Sequence, residues 1–469
     1  MVPRPNILLF FTDDQRFDTI RALGNEQVIT PHLDALVARG TTFTHNFIPG
    51  GTCGAVCMPS RAMLHSGRTL FHLDREGQGI PDEHITLGEC LRQAGYETYA
   101  TGKWHNGTAA FARSFGAGDE IFFGGMDDHW NVPAYHYDPS GRYDHACPYT
   151  PDPFQSNALK YRRCDHVSPG KHSTDLFADS ALRFLTDHDT SRPFFLYVSL
   201  MAPHDPRTMP KQYRELYNPD DIALPANFLP EHPIDTGALR IRDETLAAFP
   251  RDPAEIRRHI AEYYAMISHL DDAFGRVMAA LRARGDLDNT IVVFAGDNGL
   301  ALGQHGLMGK QSVYEHSVRV PLIFAGPGIA AGERRDGFSY LLDVYPTLVE
   351  LAGVSVPASV EGRSLLPMLR DPQASLRDSL YLAYADSIRG LRTCTHKIIE
   401  YACGETQLFD LQADPLEREN LAAQPEHAAL LAELRAQLRG QADAWDDVAH
   451  PAGRAFWTRR QNDLGPKTY

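Results

Sequence analysis

Cys57 opens the run Cys57-Met58-Pro59-Ser60-Arg61-Ala62-Met63-Leu64-His65-Ser66-Gly67-Arg68, which places a sulfur nucleophile in a strand-to-helix turn beside a fixed arginine. Most cysteines are small buried hydrophobes, so the residues around this one decide its chemistry. Two acidic pairs offer a second kind of chemistry. Asp13-Asp14 directly follows an apolar run at Asn6 to Thr12, and Asp297-Asn298-Gly299 follows another at Thr290 to Ala295. Both pairs fall at the carboxyl ends of strands, where open α/β sheets put ligands. Their hard oxygen donors suit Ca2+ or Mg2+ and suit Zn2+ poorly, since zinc favours His and Cys. The plainer reading is two turns capped by Asp and Asn. Lys103 and His105, in Gly102-Lys103-Trp104-His105, stand two residues apart, so on an extended segment both leave from the same side and can share one anion. A random Lys-x-His is more often a surface charge over a core aromatic. His204, in Ala202-Pro203-His204-Asp205-Pro206, is kept off any helix by the flanking prolines.

The elements that would position these groups are legible in part. Strand-like runs at Asn6 to Thr12, Phe194 to Ser199, Thr290 to Ala295 and Val320 to Ala325 are apolar on both faces, as interior strands of a helix-covered sheet must be. A long helix opens at Asp252-Pro253-Ala254-Glu255, with Asp as cap, Pro in the first turn and Glu completing a capping box. Ile256, Ile260, Tyr264, Ile267, Phe274 and Leu281 continue it near 3.6-residue spacing, and Gly285 stops it. The segments 124–172 and 203–251 lack clean periodicity but are rich in Pro, Tyr, His and Asp, which favours ordered pocket walls. Trp130, His129, Tyr135, His136, His145 and His172 are candidates there, with aromatic packing and surface positions as the alternative. From about Leu380 the runs around Tyr381-Leu382, Gly390-Leu391 and Lys397-Ile398-Ile399 predict an antiparallel meander. The expected architecture is an α/β domain over 1–375 with a central mixed, mostly parallel sheet flanked by helices, and a smaller C-terminal α+β domain over 376–469 with an antiparallel sheet and a helix.

Composition narrows the function classes. A chain of 469 residues, 43% hydrophobic, can bury a large core. The formal charge of −15 excludes a general nucleic-acid binder, which needs a broad basic surface. Seven cysteines are an odd count without the density of a small disulfide scaffold, which argues against a disulfide framework, and Cys394 and Cys403 read as two reduced thiols or one pair. No apolar run has the length of a membrane span. Strand-like sequence starts at Asn6, leaving no room for a secretory signal; a cytoplasmic chain is expected, or one from which a signal was removed. The oligomeric state is left open.

Cys57-x-Pro59-Ser60-Arg61 with Leu64 and Gly67-Arg68 resembles the signature of type I sulfatases, in the alkaline-phosphatase-like superfamily. There a formylglycine-generating maturation enzyme oxidises the cysteine to Cα-formylglycine, whose hydrated aldehyde attacks the sulfur of a sulfate ester. The resemblance extends to one Ca2+ (or Mg2+) held by Asp13, Asp14, Asp297, Asn298 and the modified Cys57. It implies that Arg61 favours the nucleophilic alkoxide and that Lys103 and Lys310, the latter in Gly309-Lys310, bind sulfate. It implies further that His204, alone or with Lys310, protonates the leaving alcohol and that His105 takes a proton from the second hydroxyl to expel sulfate. Tyr314-Glu315 and Arg319-Val320-Pro321-Leu322 continue the likeness as structure, and Gln407 to Leu421 matches the family's ending, with Asp410 and Asp414 read as turn caps.

The expected substrate is a small-molecule or oligosaccharide sulfate ester, a sugar sulfate ahead of an aryl or choline sulfate, with no nucleic-acid or membrane partner. Asn298 bears on the choice of branch. Phosphonate monoester hydrolases and phosphodiesterases of the superfold carry His after the equivalent Asp, so the amide favours a sulfatase. A phosphonate monoester or phosphodiester hydrolase using the same nucleophile remains the enzymatic alternative, and a non-catalytic anion-binding relative the other, if Cys57 is not oxidised.

Overall fold

Every residue of Asn6–Thr12 (β1) is buried, because β1 lies inside an eight-stranded sheet with packed side chains on both faces. The computed structural model describes residues 4–189 and 191–464. In chain order the other strands of this sheet are β2 (Thr41–Phe43), β3 (Glu97–Lys103), β4 (Ala117–Phe122), β5 (Phe194–Ser199), β6 (Thr290–Gly296), β7 (Leu322–Ala325) and β8 (Glu333–Arg335). Their spatial order is β8-β2-β7-β6-β1-β5-β3-β4. All neighbours are parallel except β7, which runs against both β6 and β2. The mixed, mostly parallel sheet expected from the sequence is therefore present. Its fourth predicted strand starts at Leu322 rather than Val320, since Pro321 has no N–H to give a ladder.

Alternate side chains of β1 feed two cores. Ile7, Leu9 and Phe11 pack in the layer that holds Met63 and Leu64 of helix α1 (Cys57–Ser66). Leu8 and Phe10 pack with Ile267 and Phe274 of the 32-residue helix α3 (Pro253–Arg284), beside α2 (Ser173–Asp187). Asp252 caps α3 through the Ala254 N–H and Gly285 ends it, as expected. Glu255 does not close a capping box; it meets Arg258 at 3.3 Å instead.

A second sheet is a meander of β9 (Ser379–Tyr384), β10 (Ile388–Thr393), β11 (His396–Tyr401) and β12 (Thr406–Asp410), covered by α4 (Ala428–Ala444). Gly50–Gly51 adds to β9 in parallel, so the segment leading into Cys57 is anchored to this sheet. Segment 124–172 is less irregular than expected: Pro133–Ala134 pairs with His166–Val167, and Ala146–Tyr149 with Lys160–Arg163. Cys394 and Cys403 are free and exposed. No helix among the described residues is long and apolar enough to cross a membrane.

Register decides where the chemistry emerges. Thr12 lies opposite Gly296, Phe11 opposite Ser199, and Ser199 opposite Gly102, so β1, β3, β5 and β6 end level. Gly102 permits this: its φ is +91°, and a Cβ there would lie 1.9 Å from the Ser199 carbonyl oxygen. Gly102→Ala is expected to cost a few kcal/mol and to lower activity by displacing Lys103, measurable as a reduced Tm together with reduced turnover. An unchanged Tm would contradict this account of the strand end.

Candidate active site

Asp13, Lys103 and Asp297 leave the sheet at this common edge, and α1 lays Cys57 and Arg61 across them. Arg61 is fully buried. Its Nε donates to Asp297 Oδ2 at 2.8 Å and its Nη2 to Asp13 Oδ2 at 3.2 Å. Nη1 donates to Ser199 Oγ at 2.6 Å and to the Lys103 carbonyl at 3.2 Å. Lys103 Nζ donates to the Asp13 carboxylate and the Gly125 carbonyl, and lies 3.6 Å from Cys57 Sγ. His105 Nδ1 is 3.5 Å from the same sulfur.

The simple alternation expected for Lys103 and His105 is not how they meet Cys57. β3 ends at Lys103, and His105 has a left-handed backbone with φ 79°. Trp104 holds this turn, buried edge-on against Phe111 and Phe115, with Nε1 donating to the Gly107 carbonyl at 2.8 Å.

On the other side, Asp14 also adopts a positive φ, which Asp tolerates better than most residues. Its Oδ1 accepts from Lys310 Nζ and from Asn298 Nδ2, each at 2.6 Å, and its N–H donates to Asp297 Oδ1 at 3.0 Å. His204 donates from Nδ1 to the Asp205 carbonyl at 2.8 Å, which leaves Nε2 facing Asp14 Oδ2 at 3.7 Å. All ten residues singled out in the sequence thus converge on one buried centre.

Three oxygens of that centre, Asp13 Oδ1, Asp14 Oδ2 and Asn298 Oδ1, are buried and accept no hydrogen bond. Leaving such groups unmet costs about 1–3 kcal/mol each, so the set is poised for another partner. Ligand atoms of Asp13, Cys57 and Asp297 lie within 4.8 Å of one another, as do those of Asp13, Asp14 and His204. Clustered hard oxygens with unspent lone pairs fit a divalent cation such as Ca2+ or Mg2+.

Burial and charge set the protonation pattern. Burial opposes ionisation of Asp13, but Lys103 and Arg61 hold its carboxyl far below the usual range. Burial, with Asp13 alongside, pushes Asp297 up to about 7 against the pull of Arg61. A divalent cation there would favour its charged form. Burial, then Lys103 and Arg61, drive the His105 imidazole well below its ordinary value, so it is neutral. Burial raises the Cys57 thiol, opposed by Lys103 and Lys310.

Several supports had no clear sequence signal. Ser199 meets Arg61, and Ser60 Oγ donates to the Asp297 carbonyl at 2.6 Å. Asn106, next to the Gly102–His105 tetrad, donates to the Met58 and Gly77 carbonyls at 2.9 and 2.6 Å, fixing the first turn of α1. Arg242 clamps Asp205 at 2.5 Å.

Of the two readings open for the 124–172 candidates, packing and surface position are the ones the structure shows. His129 and His172 stack at 4.9 Å inside the protein, with burial holding them neutral at about 4 and about 2. His129 Nε2 donates to the His204 carbonyl at 3.0 Å, so it touches the site only through backbone. Trp130 packs on His172, and Tyr135 packs against Phe123 and Tyr143. His136 pairs with Asp119 and His145 bonds the Cys164 carbonyl. Asp410 and Asp414 cap backbone N–H groups, as expected.

The family model described as Sulfatase matches residues 5–354, most of this chain. The chain belongs to the sulfatase family. A second model, described as N-sulphoglucosamine sulphohydrolase, C-terminal, matches residues 303–444 of this sulfatase. It is 31% identical to the multifunctional alkaline phosphatase superfamily protein PehA of Trinickia caryophylli, over 91% of this chain and 93% of that protein. It is 25% identical to the N-acetylglucosamine-6-O-sulfatase of Bacteroides thetaiotaomicron, over 92% and 85% respectively. A structure solved in complex with its substrate D-glucosamine-2-N,6-O-disulfate has the same fold, with a TM-score of 0.75 at 24% identity over 95% of this chain and 98% of that one. The architecture is the alkaline-phosphatase-like one, and the family is one of sulfuric ester hydrolases.

The orphaned oxygens lead to a thermodynamic expectation. Ca2+ at a free concentration a hundredfold above its dissociation constant should stabilise the sulfatase by about 2.7 kcal/mol relative to chelated protein, raising Tm. Asp14→Asn should weaken that response. A Tm indifferent to chelator and to Ca2+ would contradict the reading of these oxygens as ligands.

Proposed function

We propose that this enzyme hydrolyses a sulfate monoester, with a sulfated sugar as the preferred class, through a covalent intermediate on Cys57 after its oxidation to Cα-formylglycine. One observation carries the reading: Lys103 Nζ and His105 Nδ1 lie 3.6 and 3.5 Å from Cys57 Sγ, at the start of a helix beside unspent oxygens of Asp13, Asp14 and Asn298. The names of the relatives support the substrate class, since one is an N-acetylglucosamine-6-O-sulfatase and another was solved with a sulfated glucosamine.

A Ca2+ or Mg2+ ion held by Asp13, Asp14, Asp297 and Asn298 would supply positive charge that eases ionisation of an oxygen nucleophile. The rest falls to the chain itself. In the first half, one hydroxyl of the hydrated Cys57 aldehyde releases its proton to solvent, and its oxygen forms a bond to sulfur as the ester S–O bond breaks. Lys103 and Lys310 neutralise the sulfuryl oxygens, and His204 delivers a proton from Nε2 to the departing alcohol. In the second half, neutral His105 accepts the proton of the remaining hydroxyl; the C=O bond re-forms, sulfate leaves, and water rehydrates the aldehyde. A serine could complete the first half but has no second hydroxyl with which to expel sulfate.

A phosphonate monoester or phosphodiester activity is the second reading. It draws support from the 31% identity to a multifunctional alkaline phosphatase superfamily protein, and Asn298 counts against it as the main activity.

Kinetics on defined sulfate esters, with an aryl phosphonate monoester alongside, test the proposal. His105→Ala should trap the sulfo-enzyme, visible as added mass on the Cys57 peptide. His204→Ala should lose most on sugar sulfates, whose alcohols leave poorly, and least on activated aryl sulfates. Equal losses on both, with no trapped species, would mean that the acid and base lie elsewhere, and a phosphonate preference would favour the second reading.

A further inference from the structure

A cavity of about 540 Å³ lies at the far end of the nucleophile helix, where the second sheet and its helix meet the large sheet's layer. Thr69 on its wall follows the carboxyl end of α1, about 15 Å from Cys57 by helix rise. Its volume is that of a small-molecule site, and its place between packed elements is where such sites occur.

The walls divide into a rigid frame and a set of unspent groups. Arg377 is locked bidentately on Asp343 at 2.6 and 2.7 Å, and Tyr340 donates to the Tyr381 carbonyl at 2.9 Å. His72 bridges Glu361 at 2.6 Å and Asp446 at 2.9 Å. Against this frame stand Trp445, Gln441, Ser379, Asp378 and Arg363. Trp445 packs on Tyr340 and Tyr381 with centroids 5.2 and 5.9 Å away, which fixes its plane at the cavity. Arg363 spends one nitrogen on the Leu376 carbonyl at 2.7 Å and has no carboxylate partner among the described residues. Asp378, like Arg363, is exposed, and Ser379, Gln441 and Trp445 are half-buried, so the carboxylate, the hydroxyl, the amide and the indole stand on the cavity wall open to a ligand.

We infer that this cavity is a carbohydrate-holding site, separate from the reacting centre, that takes one pyranose ring. The unspent groups hold one cation, one anion, an amide, a hydroxyl and an indole N–H, so neither a simple anion nor a simple cation matches them. Hydroxyls that each donate and accept do match, and the C–H face of a sugar suits an immobilised indole. The site needs no chemistry at Cys57, so it stands or falls independently of the proposed reaction.

The test uses full-length Cys57→Ala protein with 15N-labelled tryptophan indoles, the Trp445 signal being assigned with Trp445→Phe. N-acetylglucosamine and glucose are titrated, with sodium sulfate as the anion control. A saturable shift of the Trp445 indole with a millimolar Kd is expected for the sugars, the other tryptophans staying still. Asp378→Ala combined with Gln441→Ala should weaken it by about tenfold, as should Arg363→Ala, while hydrolysis of a small aryl sulfate in the Cys57 background is retained. No saturable shift with either sugar, a shift with sulfate alone, or sugar binding unchanged in both wall variants would overturn the inference.

Discussion

Arg61 is the interaction on which the rest of this active site depends. One guanidinium, fully buried, bridges Asp13 from β1 and Asp297 from β6 while also holding Ser199 of β5 and the Lys103 carbonyl at the end of β3. It therefore ties four strand ends to α1. Burying ionised groups is expensive, and removing one partner from such a network costs about 3–5 kcal/mol because the other charges are stranded. The arrangement makes sense only if the geometry it enforces is worth that cost. What it enforces is the position of Cys57 relative to Lys103, His105 and the acidic oxygens.

Charge balance follows from the same bridge. Asp13, Asp14 and Asp297 face Arg61, Lys103 and Lys310, and each carboxylate is paired by one oxygen while Asp13 and Asp14 keep the other free. Asp13 stays ionised in spite of its burial, and His105 stays neutral because burial, and then the nearby cations, oppose a further proton. Neutral His105 beside Cys57, and His204 with Nε2 toward Asp14, are the two proton carriers of the proposed mechanism. Asp205 and Arg242 steady the second, and His129 steadies its backbone, from segments that carry no chemistry of their own.

Local spacing made much of this legible in the sequence. The Cys57 to Arg68 run, the two acidic pairs and the Gly102 to His105 tetrad are contiguous signals, and the apolar strands preceding them place each at a sheet edge. The supports were not legible, because they are contacts between distant segments: Ser199 with Arg61, His129 with His204, Arg242 with Asp205. Local rules also failed where backbone geometry departs from the ideal. Alternation did not describe Lys103 and His105, since His105 turns left-handed after the strand ends, and Glu255 chose Arg258 over a capping box. Composition left the histidines of 124–172 open between pocket wall and packing, and the stacking of His129 on His172 decides for packing. Strand order, with antiparallel β7 between β2 and β6, depends on tertiary packing that no single segment encodes.

Cys57 is proposed to act as an oxidised residue rather than as a thiol, and the whole mechanism turns on that. Peptide mass spectrometry on protein matured by a formylglycine-generating enzyme, paired with sulfate release from the same preparation, addresses it directly. The Cys57 peptide should be lighter by about 18 Da, as sulfur leaves and oxygen enters, and activity should rise in proportion to that fraction. Full activity in a preparation whose Cys57 remains an unmodified thiol would contradict it.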